Sequence, residues 1–131
     1  MNNHFFSTIK TIAVVGISDK PDRPSYKVGE YLRSKSFIII PINPSFTIWR
    51  GLPSYPTLSA VPNDIHIDVV DIFRKSEFVY PIVVEAVKRN DVKTIWMQEG
   101  IKNDEAKKYA EEHGLSVVMD FCMMIAHKKN S

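Results

Sequence analysis

A regular alternation of short apolar runs with amphipathic segments extends along the whole chain and constrains the fold more than any other feature. Five runs rich in Val, Ile and aromatic residues have the composition of buried strands, and they lie at residues 11–16, 37–41, 68–73, 94–97 and 116–119. Strands that alternate with helices are typical of parallel sheets joined by right-handed crossovers. The sequence therefore predicts an α/β fold with a mostly parallel five-stranded sheet, formed as a single domain by residues 1–131.

Apolar spacing and end signals place helices between these strands. An amphipathic run at residues 26–32 follows the first strand, and a second helix after Ser76 carries its apolar residues on one face and begins near Tyr80. Asn103 as the N-cap and Gly114 as the stop signal predict a third helix. The prolines between residues 41 and 63 predict an ordered loop with little helix and a short edge strand near 52–55.

Composition and charge exclude several classes of protein. The chain has 131 residues, of which 44% are hydrophobic, and this is enough to bury one core. Its formal net charge of +2, without a clustered basic face, does not indicate a nucleic-acid binder. The apolar stretches are far shorter than the ~20 residues that span a bilayer. The lone Cys122 cannot form an internal disulfide and residues 1–10 lack a signal-peptide pattern, so we expect a reduced, cytoplasmic protein.

The junction that begins at Gly16 is the best candidate for a ligand site. A strand ending at this glycine and a helix beyond it would direct free backbone N–H groups at an anion, and Ser18, Lys20, Arg23 and Ser25 add hydroxyls and cations. The loop lacks the later glycines of G-x-G-x-x-G, and no acidic residue stands about 20 positions further on, where an NAD site would place one. The pattern predicts a phosphorylated ligand other than NAD and leaves NADP open.

The rest of the site is predicted from the sheet. In an open parallel sheet, ligands bind beyond the carboxyl ends of the strands, where neighbouring connections diverge. Polar candidates occur in each segment predicted at that edge, which are residues 16–25, 42–46, 73–76, 98–103 and 120–124.

Catalytic and metal-binding constellations are not visible in the sequence. The four histidines are scattered without the spacing of metal ligands. Adjacent carboxylates occur only at 104–105 and 111–112, on predicted solvated helix faces, so no acid–base pair is evident. We expect no metal and no independent catalytic activity.

Several ordered pieces of the chain resemble a known family, the small stand-alone CoA-binding proteins related to the N-terminal domain of the succinyl-CoA synthetase alpha subunit. The matching pieces are AVVGIS at 13–18, RPSY at 23–26, IPINP at 40–44, VDIFR at 70–74, IWMQEGI at 95–101 and VMDFC at 118–122. The resemblance implies a Rossmann-like three-layer domain that holds coenzyme A at the carboxyl edge of its sheet. The catalytic phosphohistidine of the synthetase subunit lies in a separate domain that has no counterpart in this sequence.

The resemblance also implies which residues contact coenzyme A. The loop residues Gly16, Ile17, Ser18, Lys20, Arg23, Pro24 and Ser25 would surround the phosphates, Asn43 and Pro44 would lie beside the nucleotide, Phe73 and Arg74 would face the adenine or ribose, and Gln98, Glu99 and Gly100 would line the path of the pantetheine. For Cys122, inert packing is the ordinary expectation. The alternative is a transient mixed disulfide with the CoA thiol.

These observations favour a coenzyme A or acyl-CoA binding module that acts as a carrier or sensor. Two other functions stay open at this point. The first is an NADP-dependent oxidoreductase, for which no proton donor can be named. The second is a CoA-binding subunit that supplies a separate catalytic chain. The expected partners are the small-molecule ligand and either a second copy of this chain or such an enzyme subunit, with neither nucleic acid nor membrane involved.

Overall fold

The computed structural model describes residues 4–130. The elements in chain order are β1 (Thr11–Val15), α1 (Pro24–Ser34), β2 (Ile38–Ile42), β3 (Ile48–Trp49), β4 (Leu52–Pro53), a 3-10 turn (Leu58–Ala60), β5 (Val69–Ile72), a second 3-10 turn (Ser76–Phe78), α2 (Val79–Arg89), β6 (Thr94–Met97), α3 (Asp104–Glu112), β7 (Ser116–Val118) and α4 (Met123–Lys129).

Residues 4–130 form a three-layer α/β arrangement around a parallel five-stranded sheet, as predicted. The strands lie in the order β2-β1-β5-β6-β7, and every neighbouring pair is parallel. One core packs α1 and α4 against the sheet, and the other packs α2, α3 and the turn at Leu58–Ala60 against the opposite face. Counted over these strands alone, the order is the 2-1-3-4-5 of flavodoxin-type doubly wound sheets.

The predicted strand positions are confirmed, with ends that differ by one residue or less. The predicted edge strand near 52–55 is only partly correct, because Leu52–Pro53 pairs antiparallel with Ile48–Trp49 in a separate hairpin. Tyr55 pairs with the main sheet through an isolated bridge to Ile42, at the outer edge of β2.

The helices follow their sequence signals with two exceptions. Asn103 caps α3 by accepting the N–H of Ala106, and Gly114 follows that helix with a φ of 84°. The first helix begins at Pro24 rather than Tyr26, because proline suits the first helical position, and Arg23 becomes its N-cap. The sequence patterns did not predict α4 at all.

A buried guanidinium fastens the long connection between β2 and β5. Arg89 at the end of α2 donates hydrogen bonds to the carbonyl oxygens of Val61 and Ile65, at 2.9 and 2.7 Å, and forms an ion pair with Asp91 at 3.0 Å. Its side chain is only 5% exposed. The connection lacks a long helix, and this cluster of charge-assisted bonds holds it in place.

Candidate functional site

The candidate site lies at the carboxyl edge of the sheet, between β1 and β5. These neighbouring strands feed helices on opposite faces, so their following loops diverge and leave a crevice. Gly16 stands at the base of this crevice with a φ of 86°, and a Cβ atom there would lie 2.5 Å from the carbonyl oxygen of Phe73. Only glycine allows both this backbone conformation and this approach.

The loop that follows Gly16 is held by its own hydroxyl groups. The Ser25 Oγ accepts the N–H of Ser18 at 2.8 Å, and the Ser18 Oγ accepts the N–H of Lys20 at 3.0 Å. The indole of Trp49 donates to the Ser18 carbonyl oxygen at 2.8 Å. These bonds fix the loop between Gly16 and α1 before any ligand is bound.

The N-terminus of α1 opens into this loop without a neutralising group. Among the described residues no side chain caps it, and its first turn carries no acidic residue. The N-cap Arg23 has an extended conformation and Pro24 occupies the first turn. The partial positive charge of an 11-residue helix therefore meets the crevice, and this is a favourable position for an anion.

One end of the crevice is a cavity of about 330 Å³ between the ends of β1, β2 and α2. It is lined by polar and apolar groups that include Gly16, Asn43, Pro44, Arg74 and Glu85. The Asn43 side chain is fixed, because its Nδ2 donates to the Ile17 carbonyl oxygen and its Oδ1 accepts the N–H of Ser45, each at 2.8 Å.

The charged groups of this cavity are also positioned by neighbours. The guanidinium of Arg74 lies 5.0 Å from the centre of the Phe78 ring, a cation–π distance. Glu85 accepts the N–H and the hydroxyl of Ser59, at 3.0 and 2.6 Å. The wall of the cavity therefore contains both a cation and a carboxylate.

The other end of the crevice is a mainly apolar cavity of about 320 Å³. It is lined by Pro24, Val28, Phe73, Gln98, Glu99, Cys122 and Ile125. A shallow depression that contains Gly16, Ser18 and Arg23 shares Gly16 with the first cavity, and it shares Pro24 and Phe73 with the second. The two cavities and the α1 terminus thus form one continuous crevice.

A buried acid lies beneath the apolar cavity. Asp71 in β5 is fully buried, and its Oδ1 accepts a hydrogen bond from the Gln98 Nε2 at 2.5 Å. Burial raises the pKa of Asp71 to about 7, although the hydrogen bond from Gln98 acts in the opposite direction. Its Oδ2 is buried and has no hydrogen-bond partner among residues 4–130.

The structure brings most of the residues singled out in the sequence to this crevice. Those that line its two cavities and the depression between them are Gly16, Ser18, Arg23, Pro24, Ser25, Asn43, Pro44, Phe73, Arg74, Gln98, Glu99 and Cys122. Gly100 lines a separate shallow depression beside Phe73 and Arg74. Lys20 is exposed outside these cavities, and the side chain of Ile17 is buried in the core. Ile17 therefore offers the crevice no side-chain contact.

Sequence reasoning missed two acidic residues of this region. Glu85 lies off the apolar face of α2, and the fold brings it to the wall of the first cavity. Asp71 had a visible signal, because it is the one charged residue within the apolar run of β5.

Metal-binding clusters and membrane-spanning helices are two further features to consider beside this crevice. Within residues 4–130 no group of three or more His, Cys, Asp or Glu side chains is arranged to hold a metal ion. No helix in the described part of the chain has the length and apolar character needed to cross a membrane.

Comparison with known proteins identifies the family. A family model described as a CoA binding domain matches residues 10–128, which is nearly the whole chain. The chain belongs to this CoA binding domain family. The match contains every residue that lines the crevice, from Val15 to Ile125.

Individual relatives agree with this assignment. The uncharacterized protein YneT of Bacillus subtilis (strain 168) is 39% identical over 118 residues, which cover 90% of this chain and 85% of that protein. A solved structure of a hypothetical protein from Pyrococcus horikoshii OT3 is 35% identical with a TM-score of 0.91, over 96% of this chain and 87% of that one.

A more distant relative is a much longer protein. The ADP-forming acetate–CoA ligase I of Archaeoglobus fulgidus is 24% identical over 124 residues. The match covers 87% of this chain but 18% of the ligase. This CoA binding domain therefore corresponds to a small part of that protein.

Proposed function

We propose that this chain binds coenzyme A along the crevice, with the nucleotide in the cavity of Asn43 and Arg74 and the pantetheine arm in the cavity of Gln98 and Cys122. The observation that carries the proposal is the continuity of the crevice. A polar cavity and an apolar cavity are joined at the uncapped N-terminus of α1. Coenzyme A has a matching sequence of parts, because a diphosphate joins its charged adenosine end to an uncharged, thiol-ended arm of methylene and amide groups.

The charges of the crevice suit the phosphates of this ligand. The first-turn N–H groups of α1 and the side chain of Arg23 would meet the diphosphate, and Arg74 lies where a ribose phosphate could be bound. Hydrogen bonds between guanidinium groups and phosphate are among the strongest in proteins. Lys20 and Lys27 are exposed nearby in sequence and add positive charge to the approach.

The proposed role is that of a carrier or sensor in the cytoplasm, with residues 1–131 acting as one CoA-binding domain. The family assignment supports the ligand class, and the absence of a visible acid–base pair favours binding over catalysis. A second role is as the CoA-binding subunit of an acyl-CoA enzyme. It is supported by the ligase of Archaeoglobus fulgidus, whose longer chain includes a matching segment. Copurification of a catalytic chain with the tagged protein would favour that second role.

Thermal unfolding with added ligands tests the proposal. A ligand that binds only the folded state raises its unfolding temperature by mass action. We expect CoA to raise the midpoint and NADP at the same concentration to leave it unchanged. A midpoint that responds to NADP and not to CoA would replace the proposal with the oxidoreductase alternative. A midpoint that responds to neither would contradict binding of both nucleotides.

Cys122 is proposed to form a mixed disulfide with the ligand. Its thiolate would attack one sulfur of CoA disulfide, the Cys122–CoA disulfide would form, and one CoA thiolate would leave. The support for this step is the location of Cys122 in the wall of the apolar cavity, where it is partly exposed.

Intact mass spectrometry after incubation with CoA disulfide tests this step. We expect one CoA adduct that is removed by reductant, and no adduct on Cys122→Ser. An unmodified wild-type protein that still binds CoA would contradict the covalent step and leave the binding proposal standing.

A further inference from the structure

Asp71 is an unusual residue for its position, and its partner suggests a reason. It lies in β5 between Val14 of β1 and Trp96 of β6, where all three side chains face the core that contains α1 and α4. A carboxyl group buried among such neighbours destabilises a fold relative to an apolar residue of similar size. Its one hydrogen-bond partner among the described residues is Gln98, so Asp71 can influence the orientation of that side chain.

Gln98 is held from both ends of its amide. Its Nε2 donates to Asp71 at 2.5 Å, and its Oε1 accepts the N–H of Met123 at the start of α4 at 3.4 Å. The side chain is 3% exposed and forms part of the wall of the apolar cavity beside Cys122. An amide nitrogen has two N–H donors and an amide oxygen has two acceptor positions. Gln98 therefore keeps one donor and one acceptor position after these bonds are made.

Because Asp71 accepts from the nitrogen, it also decides which way the amide points. Without that acceptor the side chain of Gln98 could rotate, and its nitrogen would be buried without a partner. The remaining donor and acceptor of this amide, which belongs to the cavity wall, would then no longer be held in place. The pantetheine arm contains amide groups, and each of them offers a complementary donor and acceptor.

We propose that Asp71 is a positioning residue that fixes the Gln98 amide for recognition of the pantetheine arm. This inference rests on the proposed binding of coenzyme A. It assigns to the buried pair a role in binding the pantetheine arm but not the nucleotide. Asp71 itself does not touch the ligand. Its influence passes through Gln98 and is confined to the thiol half of the crevice.

Calorimetric titration with two ligands tests this assignment. Coenzyme A carries the pantetheine arm, whereas adenosine 3′,5′-bisphosphate is its nucleotide end without the arm. We expect Asp71→Val, which removes the acceptor, to raise the Kd of CoA by about tenfold or more, as expected when a buried polar group loses its partner. The Kd of the bisphosphate should be unchanged, and Asp71→Asn, which keeps an acceptor oxygen, should bind CoA within about twofold of wild type.

A second variant tests whether the effect passes through Gln98. Gln98→Met removes the amide and should cause the same selective loss of CoA affinity. The double variant Asp71→Val with Gln98→Met should be no weaker than Gln98→Met alone, because residues that act through one contact are not additive. The Gln98→Met result stands even if Asp71→Val does not fold.

The outcomes separate the inference from the proposed function. Failure of the wild-type protein to bind either ligand would contradict the proposed function and remove the basis of the inference. Normal binding by the wild type, combined with equal losses for both ligands in Asp71→Val and Gln98→Met, would show a merely structural pair. Unchanged CoA affinity in Gln98→Met would also overturn the positioning role.

Discussion

The backbone at Gly16 approaches the main chain of Phe73 so closely that a Cβ atom at position 16 would lie 2.5 Å from the Phe73 carbonyl oxygen. The two residues directly follow adjacent parallel strands, and Phe73 donates its N–H to the carbonyl oxygen of Val15 at 2.8 Å. This approach lets the chain turn away from β1 at the level of the crevice. The glycine therefore has a packing role as well as a conformational one.

Replacement of Gly16 by alanine should be more destabilising than the same change at Gly114. Both glycines have a positive φ, of 86° and 84°, so both variants include the conformational cost of about 1–2 kcal/mol. At Gly114 no atom lies within 4 Å of the added methyl group. Gly16→Ala should lose a further 1–3 kcal/mol or so from overpacking.

Urea denaturation of the two variants measures this difference. Equal losses of unfolding free energy would mean that the backbone at Phe73 moves aside easily and that the close approach contributes little.

The stability of the protein should depend on pH through Asp71. Its pKa is about 7 in the folded state and 3.8 in the unfolded chain, so between these values the folded state binds more protons. The stabilisation is complete below pH 3.8 and is lost as pH rises toward 7, by about 4 kcal/mol in total. Asp71→Asn, which cannot titrate, should lack this contribution.

Unfolding free energies of wild type and Asp71→Asn from pH 4 to 8 provide the measurement. The difference between them should change steadily up to about pH 7 and then level off. Asp104→Asn, at an exposed position of α3, is the matched control for loss of one carboxylate. A wild-type curve parallel to that of Asp71→Asn would contradict the raised pKa.

Arg89→Ala should destabilise the protein by about 3 kcal/mol or more, as found when one partner of a buried ion pair is removed. The substitution removes this donor from the carbonyl oxygens of Val61 and Ile65. It also removes the ion-pair partner of Asp91, which then keeps only the N–H of Ile67 among the bonds described for it. Chemical denaturation compared with Lys88→Ala, an exposed neighbour on α2, measures the effect. Similar stabilities of the two variants would show that the loop between β2 and β5 is held by other contacts.

The pattern of strands and helices made the fold predictable, because Val- and Ile-rich runs and capping residues such as Asn103 are local signals. The short α4 escaped prediction because its Met-Met-Ile-Ala start has no capping residue and its length allows little periodicity. The Asp71–Gln98 pair joins residues 27 positions apart, so only the register of β5 and β6 brings it together. In the same way, the sequence could place Lys20 in the loop but not decide whether it faces the crevice.

Arg23→Ala should weaken CoA binding by about tenfold or more, because a charge-assisted hydrogen bond to phosphate contributes about 1.5–3 kcal/mol. Lys108→Ala removes the same charge from an exposed position on α3 and should change the Kd by less than about twofold. Fluorescence or calorimetric titration at fixed ionic strength compares the variants. A similar effect of both substitutions would mean that net charge rather than the α1 terminus attracts the ligand.

The central claim is that the first-turn amides of α1 bind the diphosphate of coenzyme A beside Gly16, whose own N–H donates to the Ile42 carbonyl oxygen. Amide NMR spectra recorded during a CoA titration test it most directly. Gly16 lies at the carboxyl edge of the sheet and Gly114 at the amino edge, so their signals report on the two edges separately. The account predicts saturable shifts of the Gly16 and Ser25 amides, with the Gly114 amide, at the opposite edge, unmoved. Gly16 and Ser25 signals that stay in place while CoA saturates the protein would contradict it.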